Sequence, residues 1–561
     1  MEMECFMPAR TFHNPILKGF YPDPSICRAG DAYYMVTSSF YYFPGLPVFR
    51  SWDLVHWQQI GHAISRPEQL DFRNCDNSEG LWAATIRFHE GRFYIICTLD
   101  VNGRTDRTTF IVTADRPEGP WSDAVAISGI DGIDPSLYFE EDGSIWFCGN
   151  HVPDPLLYPS HKQILLGELD PHSFQLKEEP QVILDGALDY SLYLEAPHIY
   201  RRGGWYYLMA AEGGTQTNHA VNLYRSPSIH GPYEPCPHNP IVSNRGIRMV
   251  NALGISVTGH GDLVETQKGE WYMVLLGIRP YDRLITDYRQ FGPRMWIREP
   301  DRNKNAQFNL GRETFLVPMA WEDDGWLVVD NENGLVNPEE RRPDLPWKRE
   351  CPRSRVDHFE EDTLDMAWTM QRPPKEPFWS LTEREGFLRL YLKNAVAEGK
   401  ASCSTLLRRQ QHNNFLAKTA MEFEPTENGQ EAGLLLTQNE RFSYLMVKEM
   451  REGRVFLSCY LVLGGKRQLL SNVPAPQGRV ILTIEGGEGF YSFYYGRRER
   501  ELLPLTEKAD ASFLSTLVAD GYVGVLMGPY ASTGKAGPDS NDVLRDVYAD
   551  FDWFSYELIE E

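Results

Sequence analysis

The chain has no long hydrophobic run. Nowhere do its apolar residues approach the roughly 20 in a row that a membrane-spanning helix needs. It has no Cys-x-x-Cys pair. Its nine cysteines are scattered and odd in number, which predicts free buried thiols in a reducing compartment rather than a disulfide framework or a zinc site. Positive charge is also scarce. With 55 Lys and Arg against 78 Asp and Glu the net charge is −23, which argues against nucleic acid and anionic membranes as partners and suits a neutral ligand. A homo-oligomer is compatible with such a surface. The opening Met1-Glu2-Met3-Glu4-Cys5 lacks the basic-then-apolar pattern of a secretory signal, so a cytoplasmic location is expected. Helical periodicity is rare throughout.

What is present is strand. Up to about residue 330 a unit recurs in which an acidic or Gly-rich turn delivers an aromatic, apolar run. It is seen at Gly30-Asp31-Ala32-Tyr33-Tyr34, Glu90-Gly91-Arg92-Phe93-Tyr94 and Asp142-Gly143-Ser144-Ile145-Trp146. It returns at Gly203-Gly204-Trp205-Tyr206-Tyr207 and Lys268-Gly269-Glu270-Trp271-Tyr272, whose aromatics read as core. Ser51–Trp57, Pro117–Trp121 and His230–Tyr233 read as outer strands of the same units. Five units predict a five-bladed β-propeller over 1–335. Residues 336–355, with Pro338, Pro343, Pro346 and Pro352 among charges, read as a linker in which Leu345 and Trp347 want burial. From 356 to 561 the alternation is cleaner, as in Phe387-Leu388-Arg389-Leu390-Tyr391-Leu392, and predicts a β-sandwich. The expected class is all-β.

Three carboxylates stand in apolar or proline-stiffened settings. Asp23 lies between Pro22 and Pro24, a segment that predicts a stiff, extended tip able to hold a reacting water. Asp134, in Ile133-Asp134-Pro135-Ser136, repeats the Asp-Pro-Ser of Asp23-Pro24-Ser25, as equivalent positions on two blades would. Glu195 sits in the apolar run Tyr193-Leu194-Glu195-Ala196-Pro197-His198. Burial there raises a carboxyl pKa, which suits a general acid. If inner strands line a channel, acids from different blades can meet at one mouth. Two carboxyls about 6.5–9.5 Å apart then support inverting glycoside hydrolysis, and about 5 Å retention.

These motifs, with Phe43-Pro44-Gly45, Leu81-Trp82-Ala83, Glu212-Gly213-Gly214-Thr215, His230-Gly231-Pro232-Tyr233, Leu310-Gly311-Arg312-Glu313-Thr314 and Asp550-Phe551-Asp552-Trp553-Phe554, occur in an order that resembles glycoside hydrolase family 43, most closely its two-domain β-xylosidases. The resemblance implies an inverting exo-glycosidase. It would release terminal β-1,4-xylose or α-L-arabinofuranose from xylan- or arabinan-derived oligosaccharides, with an endo-acting arabinanase or a non-catalytic carbohydrate-binding propeller as alternatives. It implies Asp23 as general base, Glu195 as general acid and Asp134 as the residue that tunes and orients Glu195. Arg312 would donate to sugar hydroxyls, and Phe40 and Trp82 would wall the pocket. His260, in Thr258-Gly259-His260-Gly261, matches a channel histidine that in some members approaches a calcium ion directly or through water. No cofactor is required, and a structural calcium in the channel is compatible. Tyr530, in Gly528-Pro529-Tyr530, is expected to close the pocket from the sandwich. Two departures stand out. The family's Trp-Ala-Pro-Asp is Trp82-Ala83-Ala84-Thr85 here, and the stretch 279–309 is long and carries Tyr281, Tyr288, Arg289, Arg294 and Trp296, which bears on aglycone preference.

Overall fold

The computed structural model describes residues 10–102, 106–247, 253–280, 307–348, 354–487, 489–535, 537 and 543–559. Five antiparallel four-stranded sheets follow one another along the chain. The first blade holds Ser25–Ala29, Ala32–Val36, Gly45–Ser51 and Gln58–Ile64. The second holds Gly80–His89, Arg92–Val101, Asp106–Ala114 and Val125–Ile127. Ser136–Phe139, Ile145–His151, Gln163–Leu169 and Gln181–Asp185 form the third. Glu195–Arg202, Trp205–Glu212, Ala220–Ser226 and Glu234–Pro235 form the fourth. The fifth consists of Ser256–Glu265, Trp271–Ile278, Glu313–Trp321 and Leu327–Val329.

The turn-strand units read from the sequence are the second strands of these blades. The Ser51–Trp57 motif is not a strand beyond Ser51. Asp53 accepts hydrogen bonds from the backbone N–H of Val55 and His56, at 3.0 and 2.8 Å, and folds the segment into a turn that leads into the outermost strand. Pro117–Trp121 and His230–Tyr233 likewise precede their outer strands, Val125–Ile127 and Glu234–Pro235.

The first strands of the blades meet at the axis. Asp262 of the fifth blade accepts from Ser25 Oγ of the first at 2.6 Å, from Arg87 of the second at 2.8 Å and from the Tyr200 hydroxyl of the fourth at 2.6 Å. Between blades the faces are apolar. Met209 and Leu223 pack with Met273, Leu275 and Phe315, all fully buried, and each such side chain contributes about 1.5–3 kcal/mol. The ring is clasped by the N-terminal segment. Asn14 exchanges two side-chain hydrogen bonds of 2.9 Å with Leu316 of the fifth blade, and Thr11–His13 pairs with Glu339–Arg341. In the segment after the fifth blade Leu345 is buried and Trp347 meets the edge of His56 at 4.4 Å.

The C-terminal domain is two stacked sheets, one of eight strands and one of seven. It grips the first blade's loops and flanking segments through their backbone. Met370–Gln371 pairs with Tyr42–Phe43. Arg372, paired within the sandwich with Glu440, donates to Cys75 O at 2.6 Å, and Arg409 donates to Phe20 O at 2.7 Å. These contacts tie the sandwich to the loop that carries Phe40.

Candidate active site

Strand direction gathers the site. Asp23, Asp134 and Glu195 lie just before, or at the start of, the first strands of the first, third and fourth blades. Arg312 directly precedes the third strand of the fifth. All four therefore stand at the same end of the propeller. Asp23 and Asp134 both take left-handed backbone conformations, φ 53° and 52°, as do Phe40, Tyr193 and His260. This corrects the extended tip read from the two prolines. Aspartate tolerates the left-handed region better than most residues, and such conformations gather where surrounding structure holds them in place. Here Ser38 N–H bonds Pro22 O at 3.1 Å and Tyr21 N–H bonds Arg312 O at 3.1 Å, which fixes the backbone on both sides of Asp23.

The carboxyl of Asp23 is buried. It accepts from Ser38 Oγ at 2.6 Å and from Arg312 at 3.4 Å, and His260 Nδ1 stands 3.6 Å away. Burial pushes its pKa up, but the Arg312 charge, His260 and the Ser38 hydrogen bond outweigh burial and hold it below the ordinary carboxylate range. Glu195 goes the other way. Burial raises it, and Lys162 Nζ at 3.2 Å, together with Arg107, offsets this only in part. Asp134 is raised well above its ordinary value, first by burial and then by repulsion from Glu195 and Asp23. Three acids crowded in one dry space cannot all be ionised cheaply, so the Asp134–Glu195 side holds a proton while Asp23 does not.

The walls are aromatic. Phe40 and Trp82 are buried at this end, and the Phe40 ring stacks on Phe20 at 5.8 Å. Tyr530 is not among them, which corrects the sequence expectation. It lies wholly inside the sandwich, its strand between two neighbours, with its hydroxyl donating to Glu431 at 2.9 Å. The sandwich aromatic that reaches the site is Tyr522. Its ring stacks with Phe40 at 5.9 Å, meets Trp82 edge-on at 5.9 Å and lies 5.3 Å from the Arg312 guanidinium. Its N–H bonds Ser78 Oγ at 2.7 Å. Two residues on, Gly524 packs so closely on Gly311 that a Cβ there would come within 2.9 Å of its Cα, and Gly311 has φ 73°. A loop contact of this kind leaves no periodic trace, and the family resemblance, which points to the Gly528-Pro529-Tyr530 motif, passes over Tyr522.

Lys162, Ser38 and the axial pair Arg87–Asp262 were equally silent in the sequence, since each acts through a neighbour remote along the chain. Burial raises Asp262, but Arg87, with His198 and the Ser25 hydrogen bond, outweighs it and holds the carboxyl ionised far below its usual range. Below the carboxylates the channel thus already carries a guanidinium, and the carboxylate oxygens of Asp262 are taken up by it, Ser25 and Tyr200. That arrangement leaves Asp262 no free oxygen to ligate a calcium ion beside His260, so such an ion would draw its oxygen ligands from water or backbone carbonyls. Among the described residues, the side chains with metal-ligand spacing are His238, Glu322 and Asp324, exposed at the opposite end of the propeller. Tyr281, Tyr288, Arg289, Arg294 and Trp296 lie outside the described residues.

Comparison with known proteins agrees with this picture over the whole chain. The model for glycosyl hydrolases family 43 matches residues 12–327, and that for the beta xylosidase C-terminal concanavalin A-like domain matches residues 356–557. A non-reducing end alpha-L-arabinofuranosidase of Bacteroides ovatus is 38% identical over 98% of this chain and 96% of its own length. A xylosidase/arabinosidase of Butyrivibrio fibrisolvens is 35% identical over 98% of this chain and 99% of its own. The crystal structure of a xylan beta-1,4-xylosidase from Bacillus halodurans superposes with a TM-score of 0.87 at 32% identity, covering 97% of this chain and 99% of that one. A propeller with three convergent carboxylates, a sandwich fitted to its rim and relatives matched nearly end to end place the chain in glycoside hydrolase family 43.

Proposed function

We propose that the chain is an inverting exo-glycosidase that releases a terminal pentose, β-1,4-xylose or α-L-arabinofuranose, from xylan- or arabinan-derived oligosaccharides. One observation carries the chemistry. Two buried carboxyls at one mouth of the channel have pKa values pushed in opposite directions, Asp23 down and Glu195 up. Such a split assigns base and acid. In the proposed reaction Asp23 takes a proton from the attacking water as its oxygen bonds the anomeric carbon. Glu195 gives its proton to the glycosidic oxygen as that bond breaks. Asp134 and Glu195 repel one another, which favours a proton on that side of the pocket. Arg312 holds Asp23 ionised and offers N–H donors to sugar hydroxyls. His260, which burial and Arg312 keep neutral despite the opposing pull of Asp23, adds a further polar group beside the base.

The sugar assignment draws on the names of relatives, which divide between xylosidase and arabinofuranosidase. The exo mode draws on Tyr522, which with Phe40 and Trp82 makes an aromatic wall contributed by both domains. The seven described cysteines are all free and buried, which supports a reducing compartment. The deciding experiment is proton NMR of xylobiose hydrolysis. Release of xylose first seen as the α-anomer supports inversion, while a β-anomer first overturns it. Mixed oligomers from arabinan would point instead to endo cleavage, and no turnover of xylosides or arabinofuranosides by the folded protein would point to a binding role.

A further inference from the structure

The mouth of the site has an apolar apron on one side. Sixteen large hydrophobic side chains are exposed among the described residues, and seven of them fall in two short segments, 152–162 and 186–193. Leu157 is 68% exposed, Leu188 74% and Tyr190 70%. Strand direction puts both segments at the carboxylate end. The first joins Ile145–His151 to Gln163–Leu169, and the second follows Gln181–Asp185 and leads into Glu195. The register confirms the placement, with His151 opposite Gln163 and Gln163 opposite Asp185.

The two segments are laced to each other and to the acid. Gly186 N–H bonds Lys162 O at 3.1 Å and Tyr193 N–H bonds Ser160 O at 3.0 Å. The Tyr158 hydroxyl donates to Ser191 O at 2.7 Å, and its ring stacks face to face with Tyr190 at 4.8 Å and 17°. Lys162, at the foot of the first segment, is the residue paired with Glu195. Apolar patches on a rigid scaffold mark binding surfaces. This one begins at the group that would protonate the departing oxygen, so the chain beyond that oxygen must leave across it.

We propose that segments 152–162 and 186–193, with Tyr190 at their centre, form the platform that binds the leaving-group side of a linear pentose oligosaccharide and set the preference for substrate length. This rests on the exo-glycosidase reading above. The apolar C–H faces of successive pentoses would lie on Tyr190 and on the aliphatic surface of Leu157 and Leu188, while their hydroxyls stay in water. Because Tyr190 already stacks on Tyr158, which is tied to Ser191, little ordering would be needed on binding.

The test is the double variant Leu188→Ser/Tyr190→Ala, checked by thermal melting. It is assayed on methyl β-D-xyloside, xylobiose and xylotetraose, or on the arabinofuranosyl series if the wild-type protein cleaves that instead, with molar mass by light scattering. The expected result is a fall of roughly 5- to 20-fold in the ratio of kcat/KM on the tetramer to that on the methyl glycoside, the scale of one or two stacking contacts. An unchanged ratio overturns the proposal. So does a drop in molar mass, which would make the patch an interface between copies. If the wild-type protein releases pentose from no substrate, the hydrolase reading falls and this inference with it. Pentose release with an unmoved ratio sinks the platform alone.

Discussion

Asp23 and Glu195 occupy two sides of one pocket, both deeply buried, yet the protein treats them in opposite ways. On the Asp23 side a hydroxyl donor, a guanidinium and a histidine face the carboxyl, and together they outweigh the cost of burying charge. On the Glu195 side the Lys162 ammonium and the Arg107 guanidinium stand against burial and the Asp23 carboxyl, and burial wins. The lesson is that burial alone does not decide protonation. The balance of partners does, and apart from Ser38, 15 residues from Asp23, each partner here comes from another blade.

Ways to break this contrast can be ranked by size. Asp23→Ala is expected to remove about 10²–10⁴-fold in kcat on every substrate, the usual scale of a lost general base. Activity retained on any of them would remove Asp23 from that role. Glu195→Ala should lose a similar factor on xylobiose but far less on p-nitrophenyl glycosides, whose leaving group needs little protonation. Equal losses on both would show that Glu195 is not the acid.

Arg312 and Lys162 sharpen the comparison through pH. Arg312→Ala removes a charge that lowers the pKa of Asp23, so the acid limb of the kcat/KM profile should move to higher pH, with about 10²–10³-fold lost overall if a donor to the transition state goes with it. Lys162→Met removes a charge that lowers the pKa of Glu195, so the alkaline limb should move to higher pH while the acid limb stays. If the two variants move the same limb, the division between the two sides is wrong.

The smallest effects separate the two tyrosines. Tyr522→Ala should cost about 2- to 12-fold in kcat/KM through lost aromatic contact, with the melting temperature nearly kept. Tyr530→Phe should leave kcat/KM alone and cost about 1–3 kcal/mol of stability, because the buried Glu431 loses a donor. Reversal of these two outcomes would restore Tyr530 to the pocket.

A separate check concerns stability. His198 and His219 are buried neutral, each depressed by burial from an ordinary value of 6.5 to about 3. Below pH 6.5 the unfolded chain binds protons that the native one refuses, so stability should fall as pH drops from about 6.5 toward 3. Denaturation midpoints at pH 7, 5 and 4 measure it, and a midpoint that does not change across that range would contradict the neutral burial of both residues.

Much of this was legible in the chain itself. Alternation and turn residues marked strands, because a half-buried strand must repeat every two residues whatever it packs against. Five repeats of one turn-strand unit implied radial packing. Carboxylates set among prolines and apolar residues stood out because burying an acid is costly and therefore serves a purpose. The motif order around Asp23, Asp134, Glu195 and Arg312 then carried the family.

What the tertiary structure alone decided is who stands beside whom. Ser38 and Arg312 at Asp23, Lys162 at Glu195, Arg87 on Asp262 at the axis and Tyr522 on Phe40 are meetings between remote segments, and no local pattern encodes them. The left-handed turn at Asp23 belongs here too, since two prolines restrict the backbone but packing against Ser38 and Arg312 selects among what remains. Composition and periodicity act through the chain's own neighbours and so can be read along it. Protonation and pocket shape act through contacts in space, and those exist only once the blades have closed and the sandwich has seated on their rim.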